Sequence, residues 1–276
     1  MKKLDRKVMI VTGASSGFGE AIASLFAKEG AFLALGARRL EKISDLAKHL
    51  RKEWKVEVLD RLLDVRKSSQ VEEFVDATIQ RFGRIDILVN NAGLALGREE
   101  TVSASESDWQ QMIDTNFMGA FRMSKAVLQP MLKQGAGHIV NIGSIAGHFA
   151  YERGGGYCGS KFALNAMTEA MRMELLGTGV RVTSIDPGMA KTEFSLVRFK
   201  GDRAKAEKVY EGMTPLTAQD VAEAVLFAVT RPTHVNVDTL LLTATDQAGV
   251  HKIFRRTGDT LLNSTLATSY SSKRIK

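Results

Sequence analysis

Apolar runs of strand length alternate with segments of helical period along most of this chain, and no repeat of 20–50 residues breaks the alternation. Residues 7–11 read as a buried strand, because Val8, Met9, Ile10 and Val11 follow one another without a polar partner face. Residues 16–29 have helical period, with Ile22, Leu25 and Phe26 on one face. A second strand is predicted at 32–35 and a helix at 40–52. The third strand is expected at 56–59, continuing through Leu62 and Leu63 to Asp64. Ser69-Gln70-Val71-Glu72 has the form of a capping box opening a helix to Arg81. Strands follow at 85–89, 138–142 and 180–185, with a last one at 239–243. Between them lie one long or two abutting helices over 107–133, with Pro130 near the end, and a helix over 157–176. Thr217-Ala218-Gln219-Asp220 caps one more helix.

Continuous apolar strands separated by helices imply a parallel sheet covered on both faces. The expected fold class is therefore α/β, a doubly wound parallel sheet in a Rossmann-type three-layer sandwich. No linker divides the chain, so residues 1–249 read as one domain and 250–276 as a C-terminal tail. Residues 198–212 lack apolar periodicity and form a candidate flap.

Composition narrows the class. The 276 residues are 44% hydrophobic and 25% charged, as in a globular protein, and no run approaches the roughly 18 apolar residues of a membrane span. A single cysteine, Cys158, excludes an internal disulfide, and the five histidines are scattered without ligand spacing, so no metal site is expected. A reducing, cytoplasmic setting follows as the expectation. The net charge of +7 suggests nucleic acid until it is mapped: residues 250–276 carry six Lys/Arg against Asp259, so +5 of it sits in the tail. With one aromatic between its basic clusters, the tail reads as a solvated terminus rather than a nucleic-acid or membrane contact.

The chemistry-bearing residues begin at Thr12-Gly13-Ala14-Ser15-Ser16-Gly17-Phe18-Gly19, between the first strand and the first helix. Glycines there let the backbone approach a pyrophosphate, whose charge meets the free N–H groups of a helix N-terminus. A Gly-rich turn alone also closes ordinary loops; the strand–turn–helix context points to a dinucleotide. An acid at the end of the second strand would select NAD, but the chain reads Gly36-Ala37-Arg38-Arg39. Two guanidiniums suit a 2′-phosphate, so the expected cofactor is NADP, with a solvated Arg pair as the plainer alternative.

Tyr157 and Lys161 are four apart on one helical face, where an ammonium and an oxidised nicotinamide would favour the phenolate. Ser144 follows the fifth strand, on the carboxyl side of the sheet, where its hydroxyl can bond a substrate oxygen. Together with Asn90-Asn91-Ala92-Gly93, Asn116 and Pro187-Gly188, these motifs resemble the short-chain dehydrogenases/reductases over about residues 5–247. The resemblance implies that Tyr157 is the acid/base, Lys161 lowers its pKa and binds the nicotinamide ribose, Ser144 orients the substrate oxygen, and Asn116 holds a relay water. It further implies adenine contacts from Asp64 and Val65, ribose contacts from Asn91, Ala92 and Gly93, and Ile142 behind the nicotinamide. Pro187, Gly188 and Thr192 would face its carboxamide. A homotetramer built on the helices at 107–133 and 157–176 is likewise implied.

A narrower resemblance, to bacterial NADP-dependent 3-hydroxy acid dehydrogenases and their sulfoacetaldehyde-reducing relatives, rests on 91–97, 108–116 and 192–202. It implies a small carbonyl or alcohol substrate. Arg153 and the long tail depart from that group. An acidic substrate needs a cation, for which Arg153, Arg198 and Lys200 are candidates, each more ordinarily a solvent-facing charge. His148 reads as a wall or surface residue and Cys158 as packing. Two other readings stay open: a reductase of a larger carbonyl compound (steroid, acyl thioester or sugar), and a regulator that binds NADP without turnover.

Overall fold

The computed structural model describes residues 2–256; the tail beyond Arg256 lies outside them. Seven strands form one sheet with every pairing parallel: β1 (Val8–Thr12), β2 (Phe32–Ala37), β3 (Val58–Leu62), β4 (Ile87–Asn90), β5 (Gly137–Ile142), β6 (Val180–Pro187) and β7 (Thr239–Leu242). Their spatial order is β3-β2-β1-β4-β5-β6-β7. The order reverses at β1, so the chain leaves β1 toward β2 on one side and reaches β4 on the other, opening a crevice at the carboxyl ends.

Helices α1 (Gly17–Lys28) and α2 (Leu40–Trp54) cover one face of the sheet, and α3 (Ser68–Phe82) the other. On that second face lie α4 (Glu106–Ile113), α5 (Gly119–Gln134) and α6 (Gly155–Glu174). Two short helices, α7 (Phe194–Arg198) and α8 (Arg203–Lys208), precede α9 (Ala218–Val229), which returns to the first face. Ile22, Phe26, Ile43, Val221 and Val225 pack in one core layer, and Phe74, Met123, Val127 and Met171 in the other. This is the expected three-layer sandwich. Among the described residues no helix is long and apolar enough to cross a membrane.

The third strand falls within its expected region: β3 is the sheet's edge and tolerates Asp60 and Arg61 inside it. Asp60 accepts hydrogen bonds from Ser44 and Arg51 of α2. Two other local expectations need correction. The Ser69 capping box does not form: α3 starts at Ser68, so Ser69 is already helical and no side chain caps the end. The box at Thr217 does form, with Asp220 N–H donating to Thr217 Oγ1 at 3.2 Å and Thr217 N–H to Asp220 Oδ2 at 2.7 Å. The segment expected as a flap is partly helical, beginning at α7 and held by buried Ala206 and Met213.

Of the two alternatives expected over 107–133, two abutting helices are found, joined through a π-turn, Asp114–Met118. Residues 250–256, the start of the tail, pack back on the body: Arg256 pairs with Asp246 at 2.8 Å and its N–H donates to Gly212 O.

Thr217→Ala should lower stability by about 1 kcal/mol, since it leaves the Asp220 N–H at the helix N-terminus without its acceptor. Ser69→Ala should change it by less than about 0.5 kcal/mol, as at other exposed positions without a cap. Urea denaturation of the two variants checks the contrast.

Candidate active site

Thr12 ties the ends of β1 and β4 together. Its hydroxyl donates to Val89 O at 3.3 Å and accepts from the backbone N–H groups of Asn91 (3.0 Å) and Ala92 (2.9 Å). The Asn91 amide returns two bonds, to Thr12 O and Gly13 O. Gly13 takes a left-handed conformation (φ +66°), and a Cβ there would stand 2.9 Å from Ala92 Cα. The loop can lie against the β4 turn only with hydrogen at that position. Gly19 serves the same packing: a Cβ would meet Gly13 O at 2.5 Å, so this residue faces the loop and not the crevice.

The crevice holds a cleft of about 370 Å³. Gly13, Ser15, Ser16, Gly17 and Phe18 form one wall, with Arg38 and Arg39 beyond the end of β2. Asp64 and Val65 line it after β3, and Asn91, Ala92 and Gly93 after β4. Ile142, Tyr157, Lys161 and Thr192 close the far end. Arg66 donates to both Asp64 oxygens, and that hydrogen bonding holds the carboxyl below its usual range.

Arg39 is already engaged. It donates to Ser15 Oγ at 3.1 Å, to Ser16 Oγ at 2.6 Å and to Glu193 Oε2 at 2.9 Å, and Lys42 reaches the same carboxylate at 3.4 Å. The Arg39 guanidinium keeps the Glu193 carboxyl below the ordinary value. Sequence reasoning missed Glu193, whose only signal was its place beside Thr192; it lies 154 positions from Arg39.

A second cavity, about 590 Å³, adjoins the first. Pro187, Gly188 and Ser144 line it, and Tyr157 and Thr192 line both. The start of α6 is brought close by three glycines. Cβ atoms at Gly154, Gly155 and Gly156 would stand 2.3 Å from Tyr151, 2.8 Å from Trp109 and 2.6 Å from Met112. One turn on, Lys161 Nζ donates to Ile142 O at 2.7 Å and lies 5.9 Å from the centre of the Tyr157 ring. Ser144 Oγ accepts from Ala146 N–H at 3.1 Å and donates to Pro187 O at 3.5 Å.

The electrostatics depart from expectation. Burial pushes the Tyr157 phenol up to about 12, against the opposing pull of the nearby Ser144 hydroxyl and the Arg198 charge. Lys161 is not what lowers it in the chain alone. The lysine is itself pushed down to about 8 by burial, opposed by the charge of Asp186. Asp186 is fully buried and held by Ser184 and His148, each at 2.5 Å, so His148 supports the lysine's surroundings from behind.

Asn116 sits in the π-turn and is buried. Its Oδ1 accepts from Leu94 N–H, and its amide donates to Leu94 O and Ser160 Oγ. The side chain thus fixes the strand-end turn to α6 and lines neither cavity. Of the three candidate cations, Arg198 alone reaches the larger cavity.

Residues 7–202 match the short chain dehydrogenase family. The chain belongs to that family. It is accordingly an oxidoreductase. It is 40% identical over 257 residues to the NADP-dependent 3-hydroxy acid dehydrogenase of Schizosaccharomyces pombe, covering 93% of this chain and 99% of that one. It is 44% identical over 242 residues to sulfoacetaldehyde reductase 2 of Chromohalobacter salexigens, covering 87% and 95%. Among solved structures, the closed form of serine dehydrogenase complexed with NADP+ superposes with a TM-score of 0.84 at 42% identity, covering 91% of this chain and all of that one.

The buried lysine sets a pH dependence of folding. Between pH 8 and the unfolded value near 10.5, the unfolded state binds more protons, so stability rises with pH through that window. Relative to Lys161→Met, the unliganded wild type should gain about 2 kcal/mol from pH 7 to pH 10 in urea denaturation.

Proposed function

We propose that this protein is an NADP-dependent oxidoreductase interconverting a small 3-hydroxy acid, or a similar short alcohol, with its semialdehyde or ketone. One observation carries the reading: Tyr157 lines both cavities, with Ser144 and Lys161 against it. The names of the relatives supply the substrate class and the cofactor.

The first cavity fits NADP. A carboxylate, that of Glu193, already sits on Arg39 beside Ser15 and Ser16, which supports an oxygen anion at this corner. Arg38 and Arg39 would hold the 2′-phosphate, and residues Gly13 to Phe18 the pyrophosphate. Gly19 supports that loop from behind. Asp64 and Val65 would border the adenine, Asn91, Ala92 and Gly93 its ribose, and Lys161 the nicotinamide ribose. Ile142, Pro187, Gly188 and Thr192 would enclose the nicotinamide. Once bound, the dinucleotide supplies or accepts the hydride.

Tyr157 handles the proton at Oη. A phenol held near 12 carries its proton at neutral pH, so the resting site is set to donate to a carbonyl oxygen. Ser144 orients that oxygen with its hydroxyl. The Lys161 ammonium supplies the positive charge that makes return of the proton from an alcohol feasible. Asn116 acts through position, fixing the Leu94 turn beside the lysine.

The size of the second cavity favours a second reading, a reductase of larger carbonyl compounds, because about 590 Å³ exceeds the needs of a three-carbon acid. A panel of short semialdehydes against bulky ketones, followed by NADPH absorbance, decides between them. The reading also includes a cytoplasmic setting and a homotetramer, the latter supported by the partly exposed Phe121, Phe162, Met173 and Leu176 along and just beyond α5 and α6.

Tyr157→Phe should leave NADPH affinity intact while kcat falls at least about 100-fold. Arg38→Ala with Arg39→Ala should weaken NADPH binding by roughly 10-fold or more and leave NADH nearly unchanged, as read by fluorescence titration.

A further inference from the structure

Arg198, at the end of α7, is held face-on by aromatic rings. Its guanidinium carbon lies 5.0 Å from the centre of the Phe194 ring, 5.1 Å from Tyr157 and 6.0 Å from Tyr151. Nη2 donates to the Tyr151 hydroxyl at 2.9 Å. The backbone is fixed as well, since Gly97 N–H donates to Arg198 O. No carboxylate pairs with this guanidinium among the described residues, and its Nε is buried without a hydrogen-bond partner.

A guanidinium with donors unused and partly removed from water is unfavourable until an anion meets it. Nothing in the cavity wall supplies one: the lining residues include no Asp or Glu. Most of the other cations nearby are committed elsewhere, while Lys208 lines the cavity with neither an ion pair nor an aromatic face to fix it among the described residues. Arg153 pairs with Glu100 at 2.6 Å and Lys200 with Asp108 at 2.9 Å, both outside the cavity. Lys205 pairs with Asp202 at 3.2 Å, and Arg255 donates to the backbone carbonyls of Glu211 and Val209. Arg98 lies over the far ring, 5.8 Å from the centre of Tyr151.

We infer that Arg198 is the anion anchor of the substrate cavity, selecting short carbonyl or alcohol substrates that carry a carboxylate or sulfonate close to the reacting carbon. This rests on the oxidoreductase reading above and narrows its substrate. The restriction to short substrates follows from the geometry. The guanidinium carbon stands 5.1 Å from the centre of the ring of the very phenol that meets the reacting oxygen, so a short substrate can touch both groups at once. The aromatic box keeps the planar cation from rotating away, which favours a bidentate contact with a planar or trigonal oxyanion. Because the Arg198 charge also draws the Tyr157 phenol downward, an anion seated on it returns the phenol toward its protonated, donating form.

The test compares 3-oxopropanoate, 2-oxoethanesulfonate and the neutral methyl ester of 3-oxopropanoate, with NADPH, in the wild type, Arg198→Gln and Arg198→Lys. The wild type should prefer each anion over the ester by at least about 100-fold in kcat/KM. In Arg198→Gln that preference should collapse toward unity, chiefly through KM. Arg198→Lys should retain an intermediate preference, having the charge without the fork. Calorimetry of 3-hydroxypropanoate with the wild type and Arg198→Gln, in the presence of NADP+, gives a readout that needs no turnover: affinity should fall by a similar factor. A wild type that reduces acid and ester alike overturns the anchor, as does an Arg198→Gln variant in which both decline together. If none of the three carbonyls is reduced but 3-hydroxypropanoate binds through Arg198, the anchor stands and the reading of these short carbonyls as substrates fails.

Discussion

The site depends on one constraint: an amine and a phenol are taken out of water together at the carboxyl edge of a parallel sheet. Each loses its preferred hydration, and burial moves the two in opposite directions, the phenol up to about 12 and the amine down to about 8. The amine keeps its proton at neutral pH because Ile142 O accepts from it and the Asp186 charge lies behind it. Burying a charge without such support would cost several kcal/mol. The close approach of α6, the turn around Ser144 and the Asp186–His148 pair all serve this one arrangement.

Placement of these groups is a matter of backbone stitching more than of side-chain packing. Thr12 and Asn91 hold the β1 and β4 ends in register, and Asn116 performs the same service between the Leu94 turn and α6. Each side chain satisfies groups that the strand ends leave open. The two cavities then meet along Tyr157, and the α7 segment borders both, with Glu193 at one end and Arg198 at the other.

Much of the fold was legible in the chain because strands covered on both faces must be apolar throughout. That rule holds for Val8–Thr12 and fails for edge strand β3, where Asp60 finds partners on α2. Local patterns carried less. Ser69 and Thr217 present similar capping sequences, yet only the second caps, since α3 begins two residues before the start that a Ser69 cap requires. Among Arg153, Arg198 and Lys200 the sequence offers no distinction. The difference lies in Glu100 and Asp108, acids remote in sequence that neutralise two of the three. The high phenol pKa was equally hidden, because it comes from enclosure and not from any neighbouring residue type.

The π-turn at Asp114–Met118 has a consequence for how this region tolerates change. An extra residue in one helical turn advances everything beyond it by about 100° without breaking the rod. Upstream, Met112 faces the glycine-led start of α6; downstream, Met123 and Val127 face the sheet. Excising a single residue there would restore an ordinary helix and turn one of these surfaces out of phase. The segment therefore acts as a keyway: point substitutions can be absorbed, while a one-residue deletion would disengage Asn116 from the turn it holds.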